Sequence, residues 1–306
     1  MPFFKFKTTH FHYQEMGSGE AIIVLHGLSQ NTAYWMDTGV AELLSGDYHV
    51  IALDLRAHGK TSVDPGDPGY DIETMQADIG RLADHLGLEK FHLLGHSTGG
   101  MIAVRYAMHQ ASLKSGRLLS LILTNCSSST SFVHKDPAAN AAAMELLAEA
   151  FETLSWPELI AGLKLNPGLL FAGVAAAENS DELFAKALGL MAAGNSMSIA
   201  AFSRCFYNDP DPMVEGLNSI ECPTLIISAE LDWYFSKSSE LMTQQIPDTK
   251  HVIGKALGHM TALEAPEWLA GQILEFLSQI SSRSLARSDI SQASSKKGSL
   301  SGYSVK

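Results

Sequence analysis

The chain has 306 residues, 46% hydrophobic and 18% charged, with 21 basic against 33 acidic side chains and a net charge of −12. That composition can supply a sizeable core, and the length suits one large domain with an insertion or two ordinary domains. The acidic balance repels phosphate backbones and anionic bilayers, which argues against a nucleic-acid partner.

The opening residues Met1-Pro2-Phe3-Phe4-Lys5-Phe6-Lys7 hold no continuous apolar stretch, so no secretory signal is expected. His10-Phe11-His12 alternates as an early strand would, and its histidines are expected to face solvent rather than a metal. Runs rich in Val, Ile and Leu follow at Ala21–Leu25, Val50–Leu53, Phe91–Leu94, Leu119–Leu123, Thr224–Ile227 and His251–Ile253. Most are apolar at consecutive positions, the pattern of strands covered on both faces in a parallel sheet. Between them lie helical periods. Met75, Ile79, Leu82, Ala83 and Leu86 share one face, with Asp71 as a cap and Gly87 as a stop. Pro266 opens a last helix that buries Leu269, Ile273, Phe276, Leu277 and Ile280. Alternating strands and helices predict a doubly wound α/β fold.

The rhythm breaks between Ser129 and Ser219, where no strand pattern occurs. Asp136-Pro137 starts a helix with Leu147, Ala150, Phe151 and Leu154 on one face, and Asp209-Pro210-Asp211-Pro212 reads as an acidic turn leaving the segment. A helical insertion here would cover the carboxyl edge of the sheet, where open α/β sheets bind ligands. No apolar run reaches the roughly 18 residues of a membrane span. The longest, Leu169 to Ala177, is expected to be a buried helix. Cys126, Cys205 and Cys222 fit no zinc or redox spacing and read as reduced thiols of a cytoplasmic protein. Residues 281–306 are Ser-rich, with five basic residues and one acid, and are expected to be disordered.

The chemistry begins at Gly95-His96-Ser97-Thr98-Gly99. A pattern Gly-x-Ser-x-Gly arises by chance in a chain this long with a probability of roughly 0.1. Its context adds weight: a strand precedes it and a helix-compatible segment, Met101 to Met108, follows. Strand, tight turn and helix with serine at the turn make a nucleophile elbow, and Gly95, Gly99 and Gly100 leave it room. Serine needs a base. In this arrangement the acid and then the histidine follow the serine along the chain, leaving His109, His134, His251 and His259. His259 lies between the last strand and the last helix, at the same sheet edge as Ser97, and is assigned as the base. Asp232 follows Thr224–Ile227 through a short loop and is assigned as the acid, with Glu230 its nearest competitor. The other edge position where an acid could stand, Thr124-Asn125-Cys126, has no carboxylate. An oxyanion would be held by the backbone N–H groups of Thr98 and, from His26-Gly27-Leu28-Ser29, of Leu28. His26 itself is expected to be a hydrogen-bonded structural residue.

His26-Gly27, the segment Asp54-Leu55-Arg56-Ala57-His58-Gly59-Lys60-Thr61-Ser62, Gly95 to Gly100, Asp232, and Gly258-His259 followed by Glu264-Ala265-Pro266-Glu267 together resemble the α/β-hydrolase superfamily. The likeness is to its capped serine-hydrolase, carboxylesterase-like branch, over about residues 10–280. It implies an α/β-hydrolase fold with a mostly parallel central sheet flanked by helices and a helical cap inserted after the sixth strand. Residues 1–128 and 220–280 would form the core and 129–219 the cap. Ala57 stands where the family usually has glycine, a change expected to affect a turn. Haloalkane dehalogenases and epoxide hydrolases of this fold attack with Asp, where this chain has Ser97. The C–C hydrolases usually place Trp where Met260 stands and use a cap arginine, for which Arg204 alone is available.

The expected substrate pocket has Leu28, Trp35, Trp233, Tyr234, Phe235 and Met260 as walls. The insertion carries 4 basic and 11 acidic residues, which disfavours a highly anionic substrate. The resulting expectation is hydrolysis of a small to medium, largely apolar carboxylic ester through an acyl-enzyme, with no metal or organic cofactor. Lactones, thioesters, C–C bonds and acyl transfer suit the same machinery. A ligand receptor with an intact triad and slow turnover is the alternative of another class. The sequence leaves the oligomeric state open.

Overall fold

A computed structural model describes residues 2–66, 68–130, 136–207 and 216–298. The chain opens with strands β1 (Phe3–Phe6), β2 (Thr9–Met16) and β3 (Glu20–Leu25), then the short helices α1 (Ala33–Met36) and α2 (Val40–Leu44). Strand β4 (Tyr48–Leu53), helix α3 (Ile72–His85), strand β5 (Phe91–His96), helix α4 (Thr98–Ser112) and strand β6 (Leu118–Thr124) follow. Five helices then come in succession: α5 (Pro137–Thr153), α6 (Trp156–Leu165), α7 (Ala172–Ala176), α8 (Ser180–Ala192) and α9 (Ser196–Phe206). The sheet pattern resumes with β7 (Thr224–Ala229), α10 (Trp233–Gln245), β8 (Thr249–Gly254), α11 (Thr261–Glu264) and α12 (Pro266–Gly298).

The strands form one sheet in the order β1-β2-β4-β3-β5-β6-β7-β8, antiparallel at β1–β2 and β2–β4 and parallel from β4 to β8. Side chains alternate across a strand. Ile23 and Leu25 of β3 therefore enter the apolar cluster on one face while Ile22 and Val24 enter the cluster on the other. Two covered faces explain why the sequence shows unbroken apolar runs. The helix signals act as read. Asp71 accepts from Thr74 N–H at 2.8 Å, and Asp136 accepts from the Ala138 and Ala139 N–H groups at the start of α5. Leu269, Ile273, Phe276 and Leu277 of α12 are buried.

Two expectations need correction, and the first lies in the β1–β2 hairpin. The apolar residues Phe4, Phe11 and Tyr13 of this hairpin are buried, and a polar residue that is also buried separates the last two. His12 is not solvent-facing: it is 1% exposed, and its Nδ1 meets Asp54 Oδ2 at 2.7 Å. Asp54 also accepts from the Thr32 and Lys60 N–H groups, so the imidazole completes a buried carboxylate's set of donors. Finally, α12 extends to Gly298, so the backbone from Ser281 to that point is helical rather than structureless. Extending a helix already nucleated on the core costs far less than starting one, and Leu, Ala, Arg, Gln and Lys tolerate it. Residues 299–306 and the turn at 209–212 lie outside the described residues. Ala57 adopts φ 71°, so the turn keeps the left-handed conformation that glycine favours. No single described helix is long and apolar enough to cross a membrane.

Candidate active site

Strands β3, β5, β6, β7 and β8 all point their carboxyl ends to one edge of the sheet, and the loops that leave them carry the site. Ser97 sits between β5 and α4 at φ 51° and ψ −117°, a conformation a serine adopts only when its surroundings impose it. Two glycines make it possible. A Cβ on Gly95 would lie 2.5 Å from Gly99 O, and one on Gly99 would lie 2.6 Å from both His26 O and Leu25 O.

His259 Nε2 lies 2.9 Å from Ser97 Oγ, and His259 Nδ1 lies 2.9 Å from Asp232 Oδ2. A carboxylate can only accept, so Nδ1 carries the proton and Nε2 faces the serine hydroxyl as an acceptor. An imidazole held in this way can take the hydroxyl proton while the carboxylate stabilises the resulting imidazolium. All three side chains are buried, Ser97 at 8% exposure, Asp232 at 1% and His259 at 2%.

The competitors stand elsewhere. Glu230 accepts from Ala256 N–H at 2.8 Å, and His251 Nε2 pairs with Ser228 Oγ at 2.8 Å. His109 lies in the last turn of α4, about 18 Å along the helix from Ser97 at 1.5 Å per residue. His134 lies outside the described residues.

Sequence reasoning missed two supports of this arrangement. Glu264 accepts from Gly258 N–H at 2.6 Å and Met260 N–H at 3.0 Å, gripping the backbone on both sides of His259. Burial pushes its carboxyl above the ordinary glutamate range. Asn125, after β6, donates from Nδ2 to Asp232 Oδ2 at 2.9 Å, and its Oδ1 accepts from Thr261 Oγ1 at 2.8 Å. That second bond fixes which way the amide points. The signal for Glu264 was its place five residues after His259. For Asn125 it was its place at the edge position where a carboxylate was sought.

Of the two amides expected to hold an oxyanion, that of Thr98 directly follows the serine. Gly99 N–H donates to His26 O at 3.1 Å, while Thr98 N–H, at the first position of α4, has no intrahelical acceptor. Leu28 lines the same cavity as Ser97. His26 is structural as expected: its Nδ1 meets Gly27 O at 2.8 Å and its Nε2 accepts from Leu55 N–H at 3.1 Å.

The cavity above Ser97 measures about 460 Å³, within the usual range for small-molecule sites. Leu28, Met260, Ser97 and His259 form its floor, and Leu147, Phe151, Leu159, Leu163, Leu190 and Met191 of the inserted helices form much of its wall. The helical period of α5 had placed Leu147 and Phe151 on one face. Four expected wall residues are not there. Trp35 is 1% exposed, in the core against Tyr34 and His96. Trp233 is 63% exposed in the first turn of α10, and Tyr234 packs on the core. Phe235 stacks on the His259 ring at 5.0 Å and so supports the base from behind. Arg204 is held by Glu145 and Glu152 of α5 and does not line the cavity.

The inserted helices also touch the site's framework. Tyr207, at the end of α9, pairs its hydroxyl with Thr98 Oγ1 at 2.6 Å. Asn31 Nδ2 donates to Leu190 O of α8 at 2.6 Å. Gly173 of α7 meets the histidine loop backbone to backbone: a Cβ there would lie 2.5 Å from Gly258 N and collide with the Glu264 carboxylate.

Three more histidines lie beneath the site. Burial pushes His26 and His96 below their ordinary pKa and His58 down to about 3. In the unfolded chain each binds a proton below about pH 6.5. The unfolded state therefore takes up protons first as pH falls, and stability present above pH 6.5 is lost on the way to 3. Scanning calorimetry is expected to give a Tm several degrees lower at about pH 5 than at about pH 7.5. A Tm that stays level over that interval would mean these imidazoles carry charge in the folded protein.

The model of the alpha/beta hydrolase fold family matches residues 20–266. A fluoroacetate dehalogenase from a Burkholderia species is 40% identical over 112 residues, 35% of this chain and 36% of the dehalogenase. The match thus spans about a third of that relative's length. Among solved structures, MenH from S. aureus has a TM-score of 0.77 at 21% identity, covering 89% of this chain and 98% of MenH. A thermophilic esterase from Thermogutta terrifontis has a TM-score of 0.76 at 24% identity, covering 89% and 94%. The two structures share the fold with this chain, and the match of the family model over most of its length shows that the chain belongs to the alpha/beta hydrolase fold family.

Proposed function

We propose that the protein is a serine hydrolase that cleaves a neutral, small to medium carboxylic ester with a largely apolar acyl or alcohol part. The observation that carries this is the chain Ser97–His259–Asp232 at the floor of a leucine-lined cavity. Ser97 attacks the ester carbonyl as His259 takes its proton. The N–H groups of Thr98 and Leu28 hold the oxyanion, and His259 then protonates the leaving alcohol. Water repeats the sequence on the acyl-enzyme. The inserted helices act as a cap that keeps bulk water from the intermediate.

Esterase neighbours support this reading, and Ser97 separates the chain from the dehalogenases that attack with Asp. The C–C hydrolase alternative loses its cation, because Arg204 is engaged on α5. The test is a series of p-nitrophenyl esters from acetate to decanoate, run beside lactones and thioesters. Sustained turnover is expected, fastest on neutral esters. A single burst of product with no steady state would instead identify a slow-turnover receptor.

A further inference from the structure

Helix α6 presents one stripe to the cavity. Glu158, Leu159, Gly162 and Leu163 all line it, and spacings of three and four residues place them on one face. Ile160 is the buried residue of this helix, so α6 forms the cavity's thin outer wall.

Gly162 packs against nothing there. Within a helix glycine is disfavoured against every residue but proline, because it has the most backbone freedom to lose and packs nothing. It is usually retained for a left-handed φ or for a neighbour that a Cβ would strike. Neither reason holds. Gly162 is not among the glycines with positive φ, and no atom lies within 4 Å of where its Cβ would be. Gly173 shows the contrast, since a Cβ there meets the histidine loop. One turn before Gly162, the Glu158 carboxylate folds back to the helix start, accepting from Ser155 N–H at 2.8 Å and Ser155 O–H at 2.6 Å. Gly162 is itself exposed, so the open space in front of it belongs to the cavity's rim, with the half-buried Leu159 and Leu163 on either side.

We propose that Gly162 sets the width of the passage past α6, kept free of a side chain so that a long or branched hydrocarbon part of the substrate can lie there. This rests on the ester-hydrolase reading of the Ser97 site. The Leu walls make the occupant of this passage apolar, and Gly162 makes it bulky.

The test is the series Gly162→Ala, Gly162→Leu and Gly162→Trp. Gly162→Ala is expected to raise Tm by about 2 °C through helix propensity. Across the series the ratio of kcat/KM for the decanoate over the acetate ester is expected to fall, by about tenfold or more with Gly162→Trp. An unchanged ratio in a folded Gly162→Trp variant overturns the proposal. A second readout does not need turnover: binding of a neutral pyrene-labelled decanol to Ser97→Ala protein with and without Gly162→Trp. Weaker binding with the tryptophan supports the passage even where no ester is hydrolysed, in which case the ester reading alone fails. Equal binding overturns the passage.

Discussion

Ser97→Ala is expected to lower kcat for ester hydrolysis by about 10⁶-fold, as loss of a triad serine does in subtilisin. The effect is large because no other group can replace the hydroxyl. His259 Nε2 points at Ser97 Oγ, and among the described residues the other hydroxyl, amide or carboxyl side chains lining the cavity are Ser29, Gln30 and Glu158, the last turned back to Ser155. Gln30 is occupied, since its Oε1 accepts from Gly27 N–H and its Nε2 meets Met260 Sδ. Ser29 turns its hydroxyl to Leu28 O. A fluorophosphonate should label the parent protein on the peptide that contains Ser97 and leave the variant unlabelled. Turnover that persists in the variant would sink the acyl-enzyme mechanism.

Asp232→Asn should lower kcat by about 10⁴-fold with little change in fold, because it removes the carboxylate that holds the Nδ1 proton and balances the imidazolium. Asn125 Nδ2 and His259 Nδ1 both meet Asp232 Oδ2, so the replacement amide sets either its NH₂ or its uncharged oxygen against the two of them. With the NH₂ there, Nδ1 must accept and the proton moves to Nε2, where it blocks proton transfer from Ser97; with the oxygen there, the imidazolium loses its counter-charge. Charge matters as well as geometry. Asp232 Oδ1 is buried with no hydrogen-bond partner among the described residues, so the carboxylate gains when His259 becomes cationic. Glu230→Gln should leave kcat near the parent value, since Glu230 serves the Ala256 backbone. The opposite ranking of the two variants would move the acid to Glu230.

The buried strands were legible because both faces of β3, β4 and β5 are covered, which writes an unbroken apolar run into the sequence. The β1–β2 edge was legible only at His10-Phe11-His12, because an edge hairpin shows no unbroken apolar run and tolerates Lys5 and His10 between its apolar residues. Ser97, Asp232 and His259 could be picked out because the chain order of an elbow and the strand ends restrict which residues reach one edge. The pocket was far less legible. Aromatic residues near Asp232 and His26 in sequence were chosen as walls, yet Trp233 points to solvent and Phe235 lies behind the base. The actual wall comes from α5, α6 and α8, and the periodicity that marks a helix does not say what its apolar face will touch. The roles of Asn125 and Glu264 depend on which backbone amides and carboxylates the fold brings within 3 Å, which a linear pattern does not encode.

The contacts of Tyr207 with Thr98, Asn31 with Leu190 and Gly173 with Gly258 tie the inserted helices to the start of α4, the His26–Asn31 loop and the loop of His259. These helices have a thinner core of their own than the sheet does, with Ile160 the buried residue of α6. Partial opening of such a layer costs less than unfolding the whole chain. Each opening event would release the serine helix, the histidine loop and the His26–Asn31 loop together. On warming, the chemistry should therefore fail as a unit while the sheet is still intact, and the working temperature of the protein is set by the grip of its roof rather than by the strength of its core.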